Sequence, residues 1–226
     1  MQSIESPRKS QSTEPATMTT ILQINSSLHG EGAQSSRLAS EFVAALRGSP
    51  ERKGATPVAG SRVIVRDLSS APTPHLTAER LTALSTAAAE RTLDQQRIVT
   101  ESDELIDELK RADVVVIGLP MYNFGLPSAF KAWIDHISRG RRTFRYTAKG
   151  PEGLLRNIEH CWVIAARGGQ YHGTPLDTQT PYLATMLGFL GIAAPTFIYA
   201  EGMARPDLRD DSLASARHTI EQLALG

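Results

Sequence analysis

The fold is decided by residues 113–139, which read Asp113-Val-Val-Val-Ile-Gly-Leu-Pro-Met-Tyr-Asn-Phe124 and then Gly125-Leu-Pro-Ser-Ala-Phe-Lys-Ala-Trp-Ile-Asp-His-Ile-Ser-Arg139. A β-branched run over 114–117 breaks at Gly118 and Pro120, after which Phe130, Trp133, Ile134 and Ile137 recur at i, i+3, i+4 and i+7. Strand, loop and helix follow one another. In an open parallel sheet, ligands sit beyond the carboxyl ends of the strands, so residues 120–125 form a candidate binding loop whose composition suits a flat ring. The apolar stripe of the helix either packs on its own sheet or serves a subunit interface.

Four further apolar runs, at 21–24, 63–65, 162–165 and 196–199, read as strands. Helical patterns separate them: 35–46, then 77–110 as two helices meeting near Arg91, 127–139, 177–190 and 206–223. Alternating strand and helix implies right-handed crossovers, hence a parallel sheet covered by helices on both faces. Apolar runs without alternation suit strands buried on both sides. Thr143-Phe-Arg-Tyr-Thr147 and the following Ala148-Lys-Gly-Pro-Glu-Gly153 break the pattern as an extended piece and a turn, an excursion that covers a site or a partner subunit. Residues 47–60, with Gly, Pro and Ser, read as a surface loop.

At 226 residues the chain suits one well-buried α/β domain, expected over residues 19–226. Residues 1–18 are rich in Ser, Thr, Pro, Gln and charge, and are expected to form a disordered tail. Arg8 and Lys9 hint at targeting, but Glu5, Glu14 and the missing apolar segment argue against it. Met18, just before the first strand, is an alternative start. Lys+Arg 24 balances Asp+Glu 24, so no whole-molecule field recruits nucleic acid or an anionic membrane. No run approaches the roughly 18 apolar residues of a membrane helix. The single Cys161 opens an apolar run and reads as a buried thiol, in keeping with a reducing, cytoplasmic setting.

The loops after the first, third and fourth strands open on one edge of such a sheet. The first, Asn25-Ser-Ser-Leu-His-Gly-Glu-Gly-Ala-Gln-Ser-Ser36, brings hydroxyls and amides to a helix N-terminus, where a phosphate is well received, although Ser35 or Ser36 could equally be a plain cap. Gly30-Glu-Gly32 begins like a dinucleotide fingerprint. The third Gly position holds Ser35, however, and no acidic residue closes a second strand ~20 residues later, which disfavours a NAD-binding Rossmann domain. In the second loop, Met121, Tyr122, Asn123 and Phe124 can line a conjugated ring or belong to the core or an interface. In the third, Ala166, Arg167, Gly168 and Gly169 let a backbone approach a ligand, or simply turn the chain. One phosphate-suited and two ring-suited loops imply a mononucleotide with a large flat head, for which flavin mononucleotide (FMN) is the natural candidate.

Taken in order, Leu22-Gln-Ile-Asn-Ser-Ser27, Gln34-Ser35, Pro120-Met-Tyr-Asn-Phe124, Thr143-Phe-Arg-Tyr-Thr147 with Gly150-Pro-Glu-Gly153, Arg167-Gly-Gly169, and Thr180-Pro-Tyr-Leu183 with Leu187-Gly-Phe-Leu-Gly191 resemble the FMN-dependent NADH azoreductases and NAD(P)H-quinone oxidoreductases. The resemblance implies a flavodoxin-like three-layer sandwich with a five-stranded parallel sheet in the order 2-1-3-4-5. It implies FMN phosphate held by Ser27, Ala33, Gln34 and Ser35, and the isoalloxazine held by Met121 to Phe124 and Ala166 to Gly169. It further implies a homodimer, a slot walled by Tyr146 and Phe189, and a ping-pong reaction in which NADH or NADPH and then a quinone or azo compound use the same place. Ala33 and Ala166 stand where the commoner pattern has Ser; each loses a hydroxyl and keeps its backbone amide.

Hydride transfer through a flavin needs no catalytic triad from the protein. The six histidines show no metal spacing; His172, just beyond Arg167-Gly-Gly169, is the one placed to approach nicotinamide or quinone. Asp135, Glu152 and Asp177 read equally as helix-dipole or turn residues. A flavodoxin-type electron carrier or a non-catalytic flavin sensor would share the loops, but such carriers tend to be strongly acidic and this chain is neutral. Which acceptor is used, and whether Arg141, Arg142 or Arg145 selects NADPH over NADH, stays open at this level.

Overall fold

A computed structural model describes residues 18–48, 60–192 and 194–225. The expected tail, apart from Met18, and residues 49–59 of the expected surface loop lie outside them. The strands are β1 (Thr20–Asn25), β2 (Arg62–Asp67), β3 (Val114–Pro120), β4 (Phe144–Thr147), β5 (Gly150–Gly153), β6 (His160–Ala166) and β7 (Thr196–Ala200). The helices are α1 (Gln34–Gly48), α2 (Ala78–Ser85), α3 (Leu93–Arg111), α4 (Ser128–Ile137), α5 (Gln179–Leu190) and α6 (Pro206–Leu225).

Five strands form one parallel sheet in the order β2-β1-β3-β6-β7. With the β4–β5 hairpin set aside, this is the expected 2-1-3-4-5 order. Alternate residues of the central strands face opposite helix layers: Leu22, Val115 and Val163 pack toward α3, α4 and α5, while Ile21, Val116 and Ile164 pack toward α1 and α6. Period-2 alternation of two apolar faces is why these strands read as unbroken apolar runs.

Local chemistry sets the ends. Thr92 and Gln95 form a reciprocal capping box at the start of α3, with Asp94 in its first turn and Lys110 and Arg111 in its last. The break between α2 and α3 falls at residues 86–92, beside the expected Arg91. α4 turns Phe130, Trp133, Ile134 and Ile137 wholly into this chain's core, which removes that stripe from any subunit interface. Cys161 is likewise buried, and desolvation pushes its thiol pKa up to about 12.

One expectation needs correction. β3 does not end at Ile117 but runs through Gly118 to Pro120, paired with Ile164 to Ala166 of β6. Gly118 has a packing role: a Cβ there would stand 2.9 Å from the Ser35 carbonyl oxygen, so its absence lets the start of α1 sit directly against the strand. The hairpin also depends on a backbone contact. A Cβ on Gly153 would lie 2.0 Å from the Gly191 nitrogen, where α5 ends in a left-handed residue at φ 96°.

Candidate functional site

The carboxyl ends of β1, β3 and β6 open into a cavity of about 210 Å³. Ser27, Ala33, Gln34, Ser35, Met121, Tyr122, Ala166, Arg167 and Gly168 line it, joined by His29, Pro120 and Met203. Three loops far apart in sequence thus meet as the parallel topology requires. Asn123, Phe124 and Gly169 do not line it.

The first wall is the N-terminus of α1. Its leading amides, Gln34, Ser35 and Ser36, have no acceptor within the helix, so they carry the positive end of its dipole. The Ala33 amide is already committed, donating to the Gly30 carbonyl at 3.2 Å, and the Ala33 carbonyl accepts from Arg37. The expected amide at Ala33 is therefore occupied. Ser35 Oγ, on the cavity wall, and Ser36 Oγ are buried without a hydrogen-bond partner among the described residues. A buried hydroxyl costs free energy unless it is paired, so the Ser35 group is poised for an acceptor such as a phosphate oxygen. This donor set suits FMN.

The second wall is a tight turn. Tyr122 and Gly125 exchange both backbone hydrogen bonds, at 3.2 and 2.9 Å, around Asn123 at φ 49° and Phe124 at φ 59°. Two left-handed central residues define a type I′ turn, which usually takes Asn-Gly; a Phe at the second position is strained by about 1–3 kcal/mol. The strain is held from outside. The buried Gln179 amide donates to the Pro120 and Gly125 carbonyls at 2.9 Å each, and Thr178 Oγ1 donates to the Phe124 carbonyl. Phe124 stays half-exposed, edge-on to Tyr171.

Tyr122 does more than stack. Its hydroxyl meets Ser27 Oγ at 3.0 Å and accepts from the Leu28 amide at 3.1 Å, tying the first loop to the second. The Met121 amide donates to the Ala166 carbonyl at 3.1 Å, tying the second to the third.

The third wall presents backbone, while the Arg167 side chain turns inward. It is fully buried, donating to Glu201 at 3.1 Å, Asp177 at 2.9 Å and Thr180 at 3.1 Å, with its guanidinium 5.2 Å from the Tyr199 ring centre. Burial raises the Asp177 pKa, and hydrogen bonds from Arg167 and Thr180 more than offset this, leaving the carboxyl below its ordinary value. Glu201 also accepts the Tyr171 and His172 amides, both at 2.9 Å. Residues 202–204 donate in turn to the carbonyls of Gly169, Arg167 and Gly168, which brings Met203 to the cavity. His172 packs on Tyr199 with ring centres 4.0 Å apart and does not line the cavity.

Tyr146 and Phe189 lie elsewhere. Phe144 joins them, 5.7 Å from Tyr146 and 4.5 Å from Phe189, forming an aromatic cluster where the hairpin meets α5; neither lines the cavity. Gln179, Glu201 and Met203 escaped sequence reading because nothing local marks them. Asp177 was noticed, but only as a turn residue.

A family model of the flavodoxin-like fold matches residues 19–224. A Burkholderia pseudomallei protein named FMN-dependent NADH:quinone oxidoreductase is 50% identical over 205 residues, covering 90% of this chain and 98% of the relative. The chain belongs to this family. A second family member, from Cellvibrio japonicus and bearing the same name, is 46% identical over 205 residues, covering 91% of this chain and 98% of its own. Among solved structures, an FMN-dependent NADH-azoreductase from Bacillus anthracis in complex with FMN superposes with a TM-score of 0.80 at 26% identity, covering 92% of this chain and 98% of the other. Among the described residues, no helix is long and apolar enough to cross a membrane.

Proposed function

We propose that the protein is an FMN-dependent oxidoreductase that uses NADH or NADPH to reduce quinones and aromatic azo compounds. The observation that carries this reading is the unpartnered Ser35 hydroxyl at the N-terminus of α1, on one wall of the same cavity as the Met121–Tyr122 and Ala166–Gly168 backbone.

The chain's part is to bind and orient. Ser27, Gln34 and Ser35 hold the phosphate through hydroxyls and helix-terminal amides, and Ala33 shapes the loop without donating. Met121, Tyr122, Ala166, Arg167 and Gly168 hold the ring through backbone groups and apolar contacts, with Asn123, Phe124 and Gly169 around its rim. Bound FMN supplies two-electron hydride chemistry. Met121, Pro120 and Met203 keep one side of the cavity apolar, which excludes water from the reacting face. No side chain is required to move a proton in the hydride step. NAD(P)H and the acceptor use the open face in turn, a ping-pong order, and Tyr146 and Phe189 wall the acceptor slot. His172 acts through the Tyr199 and Asp177 side of the third loop rather than on the acceptor.

The protein works as a homodimer in the cytoplasm. Tyr146, 78% exposed on a hairpin, is the kind of surface a second copy covers. The test is purified, FMN-loaded protein with NADH and benzoquinone: rapid NADH oxidation supports the enzyme, whereas flavin binding without turnover supports a carrier or sensor.

A further inference from the structure

A groove of about 830 Å³ lies well away from the cavity just described, between α2, the turn that follows it and the segment joining α4 to the hairpin. Its walls are of two kinds. Leu76, Leu81, Leu84 and Phe144 form an apolar side, and Arg91, Arg139, Arg141 and Arg142 form a cationic one against only Asp103 and Asp135.

The charges do not cancel locally. Asp103 serves both Arg139, at 2.6 Å, and Arg142, at 3.2 Å, while Asp135 is paired with Lys131. Arg91 and Arg141 have no carboxylate partner among the described residues. Arg142 Nε is buried without a hydrogen-bond partner. The guanidinium groups are crowded: burial lowers the Arg139 pKa, Asp103 opposes the shift, and nearby Arg142 and Arg91 lower it further. Arg141 itself is exposed, on backbone at φ 66° and hydrogen-bonded to the Phe144 carbonyl at 2.6 Å. A solvated basic surface would account for the charge alone. It would not account for a leucine wall opposite, or for Phe144 continuing from the groove into the Phe189 and Tyr146 rings.

We infer that this groove anchors electron acceptors bearing an anionic group on a flat ring, a sulfonate or carboxylate, with the anion on Arg91 and Arg141 and the ring on Phe144. The enzyme then favours anionic over neutral acceptors of the same ring. The inference rests on the reading that Tyr146 and Phe189 wall the acceptor slot.

The test compares 1,2-naphthoquinone-4-sulfonate with 1,2-naphthoquinone on the FMN-loaded enzyme. It also measures equilibrium binding of 2-naphthalenesulfonate, which accepts no electrons. In Arg91→Gln/Arg141→Gln, the KM for the sulfonated quinone rises about tenfold with kcat unchanged, the neutral quinone is unaffected, and naphthalenesulfonate binding weakens in parallel. Arg91→Lys/Arg141→Lys keeps most of the preference, and added salt erodes it in the wild type. Equal KM values for both quinones in wild type, unchanged in the variants, overturn the groove assignment while leaving the enzyme reading intact. Failure to reduce either quinone overturns the enzyme reading, and naphthalenesulfonate binding then judges the groove by itself. A groove closed by a second copy binds none and also overturns it.

Discussion

The turn at residues 121–125 and the hairpin at 144–153 are both aromatic excursions from the same sheet, yet they are secured differently. Asn123 and Phe124 are held in left-handed backbone by buried polar groups from α5 and its approach, Gln179 and Thr178, and the neighbouring loop is braced by the Arg167, Asp177 and Glu201 cluster. The hairpin rests on one half-buried ring, Phe144 on Phe189, and on the Gly153–Gly191 approach, leaving Tyr146 78% exposed. A surface that must hold a cofactor in one geometry needs its backbone fixed before binding, whereas a surface that receives varied acceptors tolerates a looser mount.

The largest effect expected from this contrast is at Arg167. Arg167→Met strands two carboxylates in a buried setting, and denaturant unfolding is expected to show a loss of about 3–5 kcal/mol, with weaker flavin retention. Next is Gln179→Leu. It leaves the Pro120 and Gly125 carbonyls without their donor, for a loss of about 1–3 kcal/mol and a turn that no longer holds its shape, read as faster flavin dissociation.

The two sides should also part company in acid. His136 is fully buried with its ring nitrogens unpartnered among the described residues, and desolvation, aided by Arg80, lowers its pKa from 6.5. The unfolded chain therefore takes up a proton that the fold resists. Stability is full above pH 6.5 and falls as the pH drops below it; His136→Leu flattens that slope in thermal melts. Asp177, lowered from 3.8, contributes stability above that pH and loses it only below, so the cavity side holds on further into acid. The smallest effect is at the hairpin: Tyr146→Ala should shift stability by less than about 0.5 kcal/mol and leave flavin affinity unchanged, while acceptor KM rises.

The sheet order and the meeting of three loops were legible because apolar runs alternate with helical patterns, and a parallel sheet sends the ends of β1, β3 and β6 to one edge. Nine of the twelve expected cofactor residues line the cavity for that reason. What could not be read was the bracing. Gln179 lies 54 and 59 residues from the carbonyls it satisfies, and Glu201 lies 34 from Arg167, with no local pattern linking them. Arg167 was legible as a position but not as an inward-facing charge, since its neighbours Gly168 and Gly169 suggested only close approach. The Ala33 amide is committed by a turn at Gly30 that composition did not reveal.

The central claim is that the start of α1 receives a phosphate and the other two loops receive a ring. Comparative titration of the flavin-free protein with FMN and riboflavin tests it most directly, because the two share the ring and differ in the phosphate. Charge-assisted hydrogen bonds of about 1.5–3 kcal/mol each put FMN at least about tenfold tighter than riboflavin. Equal affinity for the two would contradict the account.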